Sequence, residues 1–292
     1  MRIYLFLIFL WICGNISAEI YIMTFNVHNF FDQYDDPYTK DKINSTAIVK
    51  KKMQNISAII NKYKPNIIAL QEIENKHILE RLNAEYLNSK YEVILIEANN
   101  SSSIYSNSYG LDVGLLTSLP VHSATTYQNR NISRNMKFVR DLLHVKLYEG
   151  TNLLNIFVAH AISGNNNSAK YIRKYEFEAY YSIIKEVWQA DTNSAIILCG
   201  DFNCSAEDKD LKKFYDFSKT NFLKFIKAED KNKLTYTWSS KFSKYKPAAF
   251  DHFFVSHSVY SRISDKAKII DLPKNVFVSD HRPVLLKLNS IE

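Results

Sequence analysis

The chain has 292 residues, is 46% hydrophobic, and carries 37 Lys and Arg against 30 Asp and Glu, a formal net charge of +7 at pH 7. Such a length readily fills a core. Its three cysteines exclude a disulfide framework, and no Cys/His spacing suggests structural zinc. The positive balance favours polyanions, with nucleic acid or an anionic lipid surface as the leading partners, unless the many Lys and Asn residues merely solvate the surface.

Residues 1–18 place Arg2 before the apolar run Ile3 to Ile12 and end in the small residues Ser17 and Ala18, the pattern of a cleaved secretory signal. The apolar stretch is too short to span a bilayer. Ile12 before Cys13 is larger than the small residue a lipoprotein signal favours, so simple cleavage is expected. The folded part is then 19–292, an exported chain bound for a periplasm or the medium.

That part opens on a β-branched strand, Glu19 to Phe25, leading into Asn26. Val49, Met53, Ile56, Ile60 and Tyr63 recur at helical spacing and Pro65 stops the helix. The buried strand Asn66 to Leu70 then delivers Gln71 and Glu72. Short strands are expected at Tyr91 to Ile96, Leu111 to Leu116 and Phe138 to Leu147, with an exposed loop at 99–108. A second strand, helix and strand follow: Leu153 to Ala159 ending at His160, Ala169 to Trp188 with Ile172, Tyr175, Ala179, Ile183 and Val187 inward, and Ala195 to Cys199 ending in a tight turn at Gly200. Asp251 to Ser256 and Pro283 to Leu288 close the chain. Strands outnumber helices, which argues for sheets packed face to face with helices outside.

Polar residues gather at the strand ends: Asn26, Glu72, His160, Asp201 with Asn203, Asp251 with His252, and Asp280 with His281. Each has an ordinary structural explanation in a cap or a turn. If the strands align, they meet at one end of the sandwich in an acidic, histidine-lined cleft.

The ordered segments Thr24-Phe25-Asn26-Val27, Leu70-Gln71-Glu72, Gly200-Asp201-Phe202-Asn203, Phe250-Asp251-His252 and Ser279-Asp280-His281-Arg282-Pro283-Val284 resemble the motifs of the endonuclease/exonuclease/phosphatase superfamily. The resemblance runs from about Ile20 to Leu288. It implies an α/β four-layered sandwich, two mixed β-sheets packed face to face with helices on the outside. It also implies a divalent cation, usually magnesium with manganese or calcium as alternatives, held by Glu72 with Asn26 and with Asp280 as a further ligand. Asp201 resembles the residue that orients or deprotonates the attacking water, Asn203 a donor to the transition state, and His281 the histidine at the scissile phosphate, held by Asp251. His160 resembles an acid for the leaving oxygen, with Asp112 as its carboxylate partner.

His28 stands where the abasic-site branch has an acid, which argues against that branch. The expected reaction is magnesium-dependent hydrolysis of nucleic-acid phosphodiesters, DNA above all, by a monomer. Lys241, Lys244, Lys246 and Arg140, with Arg130, Arg134 and Lys137, are expected at the backbone, and interleaved aromatics at the bases. The alternatives are a phospholipid phosphodiesterase, for which Trp238 and Phe242 are the nearest membrane-facing candidates, a phosphoinositide phosphatase, and a non-catalytic binding module. No separate targeting element supports a toxin-type partner.

Overall fold

β1 (Ile20–Phe30), α1 (Thr46–Tyr63) and β2 (Ile67–Ile73) form a strand-helix-strand unit whose two strands are parallel, from Ile22 opposite Ile67 to Asn26 opposite Gln71. The structure, a computed structural model, describes residues 19–36, 39–97, 110–134, 136–211, 222–240, 245–273 and 277–289. The signal segment, the 99–108 loop and Phe242 lie outside them. Parallel neighbours require a crossover, which α1 supplies. Its hydroxyl-capped start, Ser45 accepting the Ile48 N–H, and its left-handed end at Lys64 before Pro65 fix its length.

The second unit repeats the plan. β9 (Asn152–His160) and β10 (Ala195–Asp201) lie parallel, from Leu154 opposite Ala195 to His160 opposite Asp201, joined by α3 (Asn167–Ala190). The remaining strands are β3 (Glu92–Ile94), β4 (Asp112–Thr117), β5 (Val121–Thr126), β6 (Asn131–Ser133), β7 (Met136–Lys137), β8 (Leu142–Glu149), β11 (Leu223–Ile226), β12 (Ala228–Glu229), β13 (Asp251–Ser256), β14 (Ala267–Ile269) and β15 (Val284–Leu288). They extend the units into a seven-stranded sheet ordered β12-β14-β15-β1-β2-β4-β3 and a six-stranded sheet ordered β11-β13-β10-β9-β8-β5; β6 and β7 form a ribbon of their own.

The layers follow from which face of each strand is apolar. Ile22, Ala69 and Leu115 of the first sheet meet Ile156, Ile197 and Val255 of the second in the central core. The outer face of the first sheet is covered by α1 and α2 (Lys76–Tyr86), and that of the second by α3. Each fully buried Ile, Leu or Phe contributes roughly 1.5–3 kcal/mol. The expected four-layered sandwich of mixed sheets is the observed fold.

Some elements depart from expectation. α2 was not foreseen, although Asn75 caps it by accepting the Ile78 N–H at 2.9 Å and Ile78, Leu79 and Leu82 form its buried face. β5, β6, β7, β11, β12 and β14 were also missed: β5 is largely polar, and the others have four residues or fewer. The strand expected from Phe138 starts only at Leu142, because buried Asp141 accepts the Tyr127 N–H at 3.0 Å and turns the chain there. In α3 the buried row runs through Arg173, Glu176, Phe177 and Tyr180, leaving Tyr175 and Val187 half-buried.

Candidate active site

Both parallel units end at the same rim, and the chain there is bent by bulges rather than closed by simple turns. Register shifts occur between Asn26 and Phe30 of β1 and between Gln71 and Ile73 of β2. Left-handed backbone accompanies them at His28 (φ 58°), Asn29 (φ 54°) and Glu72 (φ 65°). Such conformations cost roughly 1–3 kcal/mol each for non-glycine residues and concentrate at functional sites. Lys52 of α1 braces the first bulge, its ammonium donating to the carbonyls of His28 and Asn29. Burial lowers that ammonium to about 8, against the opposing pull of Glu72 and Asp280.

Gly200 lies inside β10, not in a turn. Its φ is 144°, and a Cβ there would stand 1.9 Å from the Ala159 carbonyl oxygen of β9. Only glycine permits that approach, and it sets Asp201 directly beside His160. Asp201 Oδ1 accepts the Asn203 N–H at 2.8 Å and Oδ2 accepts from Asn26 Nδ2 at 2.9 Å. Asn203, itself left-handed at φ 50°, donates one amide hydrogen to the Ala161 carbonyl at 2.9 Å.

The last motif approaches from the first sheet. Ser279 Oγ donates to the Asn26 carbonyl at 2.7 Å and accepts the His281 N–H at 3.0 Å, so the segment is tied to the end of β1. His281 Nδ1 lies 2.8 Å from Asp251 Oδ2, and its Nε2 lies 3.6 Å from Asp201 Oδ2. Burial opposes a charged imidazole, but Asp251 and then Asp201 outweigh it and hold His281 up to about 10. Burial likewise raises the Asp201 carboxyl to about 7, less the pull of His281.

Across the cleft, Glu72 Oε1 accepts from Asn26 Nδ2 at 3.0 Å and Oε2 accepts the Asn29 N–H at 2.7 Å. One carboxamide therefore bridges Glu72 and Asp201. His160 faces both through Nε2, at 3.9 Å and 3.6 Å. Its Nδ1 has no hydrogen-bond partner, so the expected pairing with Asp112 is not made. Asp112 is buried at the start of β4, beyond the β2 bulge at Glu72. Burial, with the charges of Arg140 and His281, drives His160 well below the ordinary imidazole range, so it stands neutral. Asp280 is engaged elsewhere: Oδ1 lies 3.0 Å from His28 Nδ1 and Oδ2 accepts from Trp238 Nε1 at 2.9 Å. Burial raises its carboxyl, but His28 and His281 overrule this and hold it at about 2.

Asn26, Glu72, Asp201, Asn203 and Asp280 thus converge with His160, Asp251 and His281 around a cleft of about 880 Å³. A family model described as the endonuclease/exonuclease/phosphatase family matches residues 23–281, which span all of these residues. The chain belongs to that family. Its members are hydrolases of phosphate esters and use divalent metals.

Solved members of the family share its fold. TDP2 from D. rerio, crystallised with a single-strand DNA product, is 15% identical, and the match covers 94% of this chain and 100% of that one at a TM-score of 0.66. The endonuclease/exonuclease/phosphatase protein of Bacteroides vulgatus is 16% identical over 94% and 100%, with a TM-score of 0.66. The human nocturnin catalytic domain with bound sulfate is 14% identical over 94% and 95%, with a TM-score of 0.63. No curated protein matches the chain in sequence.

A divalent metal suits the floor of the cleft. Glu72 and Asp201 present oxygens on either side of Asn26, and among the described residues no Lys or Arg is ion-paired with either. Asp201, Asp251 and His281 also bring ligand atoms within 4.8 Å of one another. That set is less suited, because Asp251 already bonds Nδ1 of an imidazole held in its protonated form.

Of the residues expected at the backbone, Arg140 and Lys246 line the cleft. Arg140 donates to the Ala161 carbonyl at 3.2 Å. Lys241 and Lys244 lie outside the described residues. Arg130 is not available, since it forms an ion pair with Glu186 of α3. Trp238 does not project as a membrane anchor: it stacks on Phe250 with centroids 5.3 Å apart while its indole holds Asp280. His252 is structural, its Nε2 lying 2.9 Å from the Cys204 carbonyl, and Cys199 and Cys204 are buried free thiols.

Sequence reasoning missed two supports. Thr237 Oγ1 accepts the N–H groups of Phe250 and Asp251 at 2.9 and 3.1 Å, positioning the acid of the His281 pair. Behind His160, Glu176 accepts the Ile162 N–H at 2.9 Å and Arg173 donates to the Ile162 carbonyl at 2.8 Å. Their i,i+3 spacing on an inward helix face was the available clue, since charged residues are rarely so buried without partners.

Proposed function

We propose that the protein is an exported, magnesium-dependent phosphodiesterase that hydrolyses nucleic-acid backbones, DNA foremost. The observation that carries this reading is the placement of one imidazole between Asp251 and Asp201, at 2.8 and 3.6 Å, opposite Glu72 in the same cleft. Lys246 and Arg140 on the cleft wall, the net positive charge and the N-terminal segment 1–18 support the substrate and the export.

Glu72, with Asn26, would hold the cation. When bound, it neutralises negative charge on the phosphoryl oxygens. The protein's own groups do the rest. Asp201, with a carboxyl near 7, accepts a proton from the attacking water, whose oxygen bonds to phosphorus. His281 stays cationic and clamps a phosphate oxygen, while Asp251 fixes its tautomer and orientation. Asn203 keeps a second amide hydrogen for the same phosphate, since only one is used on Ala161. The leaving oxygen departs opposite the water with its bonding pair and takes a proton from solvent. Neutral His160 packs against Glu72 and Asp201 and holds both in place.

Protein comprising residues 19–292, incubated with supercoiled plasmid, sphingomyelin and phosphoinositides, is expected to nick plasmid with magnesium and not with chelator. Turnover of a lipid without metal-dependent nicking would overturn the nucleic-acid assignment.

A further inference from the structure

Next to the catalytic cleft, a groove of about 540 Å³ opens between the His28 to Phe31 bend, the first turns of α1, and Phe277 with Val278. It shares His28, Asn29, Phe31 and Lys42 with the cleft, so a chain-like substrate can occupy both. Both are basic in part. The cleft sets Lys40, Lys42, Arg140, Arg173 and Lys246 against Glu72, Asp201, Asp208 and Asp280, whereas the groove has Lys42, Lys51 and Lys52 and no Asp or Glu.

Lys52 is committed to the carbonyls of the bend. Lys42 and Lys51 are exposed, and neither makes an ion pair among the described residues. Above them stands Phe277, 68% exposed, with its ring edge-on to His28 at a centroid distance of 5.6 Å. A single exposed aromatic is ordinary on a protein surface. Phe277, however, lines the same groove as Ile48, itself 54% exposed, and two lysines without ion pairs among the described residues, so apolar and cationic groups are presented together. Aromatic faces stack on unpaired bases, and ammonium groups neutralise the phosphates between them.

We propose that this groove binds the nucleotide adjoining the scissile phosphate of a single-stranded nucleic acid, with its base on Phe277 and its phosphate on Lys42 and Lys51. The assignment rests on the phosphodiesterase reading of the cleft. It adds that the preferred substrate has at least two phosphates and an unpaired base, because a paired base must first leave its stack, at a cost in free energy, to meet Phe277. A free monophosphate would fill the cleft alone. An anionic lipid surface is the rival occupant, since exposed Ile48 and Phe277 stand beside Lys42 and Lys51, and the test separates the two.

The test compares hexathymidylate with bis(p-nitrophenyl) phosphate, a diester too short to reach the groove. In Phe277→Ala and in Lys42→Ala/Lys51→Ala, the ratio of kcat/KM on hexathymidylate to that on the small diester is expected to fall about tenfold. Hexathymidylate binding, read by fluorescence anisotropy in chelator, should weaken in parallel. Its salt slope should fall by about 0.7 for each phosphate that the lysines no longer neutralise. Tyr260→Ala, at an exposed position on the His257–Tyr260 turn at the opposite end of β13, serves as the unchanged control. An unchanged ratio with unchanged binding would overturn the subsite, as would loss of binding to phosphatidylglycerol vesicles in place of hexathymidylate. A wild-type protein that binds hexathymidylate through Phe277 yet hydrolyses neither diester would instead reject the catalytic reading and leave the groove standing.

Discussion

His281 presents Nδ1 to Asp251 at 2.8 Å and Nε2 to Asp201 at 3.6 Å, so a single buried imidazole is flanked by two carboxylates. This arrangement assigns the charges. Burial works against the cation, but the carboxylates keep His281 up to about 10, while burial lifts Asp201 to about 7. A base near 7 and a permanent cation beside it form a pair separated by environment alone.

The pH profile follows from those two values. Activity requires Asp201 ionised and His281 protonated, so kcat/KM should rise with pH through a step at or below about 7 and stay level until the approach to 10. A bound cation stabilises the carboxylate and moves the lower step down, never up. A rate that keeps rising from pH 7 through 10 would show that His281 acts neutral, as a base.

Asp251→Asn keeps the size of the side chain and removes its charge. With its largest support gone, burial should pull His281 down toward the ordinary imidazole range, visible as a titration in ¹H–¹⁵N spectra near neutral pH. The rate should drop about 10²–10³-fold. Stability changes in a definite direction. A histidine raised in the fold contributes fully below the unfolded value of 6.5 and loses that contribution as pH rises through about 10. Urea melts of the wild type should therefore show a decline over that window that Asp251→Asn lacks.

Gly200→Ala tests the route by which Asp201 reaches the site. The added Cβ would meet the Ala159 carbonyl at 1.9 Å on a backbone of φ 144°, with no flexible side chain to yield. Strain and overpacking together should cost about 2–5 kcal/mol. Denaturant midpoints measure the loss, and Gly150→Ala, where a Cβ would meet nothing within 4 Å, gives the strain of a left-handed glycine without the clash.

How much of this was legible in the sequence depended on distance along the chain. Asn26, Glu72, His160 and Asp201 end apolar runs whose length and β-branching mark buried strands, so their shared rim could be inferred once the strands were aligned. The bend at His28 and Asn29, the bulge at Glu72 and the strand position of Gly200 could not, because they arise from contacts with Lys52 and Ala159 that no local pattern encodes. The partner of His160 failed for a related reason. Asp112 and His160 lie at strand ends in different sheets, and the bulge at Glu72 puts that acid nearer the imidazole. The His28 to Asp280 contact was hidden in the same way, since the two residues are brought together only by the Ser279 tie to β1.

Glu72→Gln separates cation binding from the fold. The carboxamide has one acceptor oxygen, so it keeps the bond from Asn26 Nδ2 or from the Asn29 N–H but not both. The variant should melt somewhat below the wild type in chelator, an offset that added magnesium does not cause. Magnesium binds the native state and raises its melting temperature by mass action, as RT ln(1 + [Mg²⁺]/Kd). The wild type should therefore gain stability with added magnesium and the variant should gain far less, because a hard cation loses its best oxygen ligand. Hydrolysis should fall at least about 10²-fold at fixed magnesium and recover in part at higher concentration. Equal magnesium shifts in the two proteins would move the cation site away from Glu72, to the oxygens of Asp201 and Asp251.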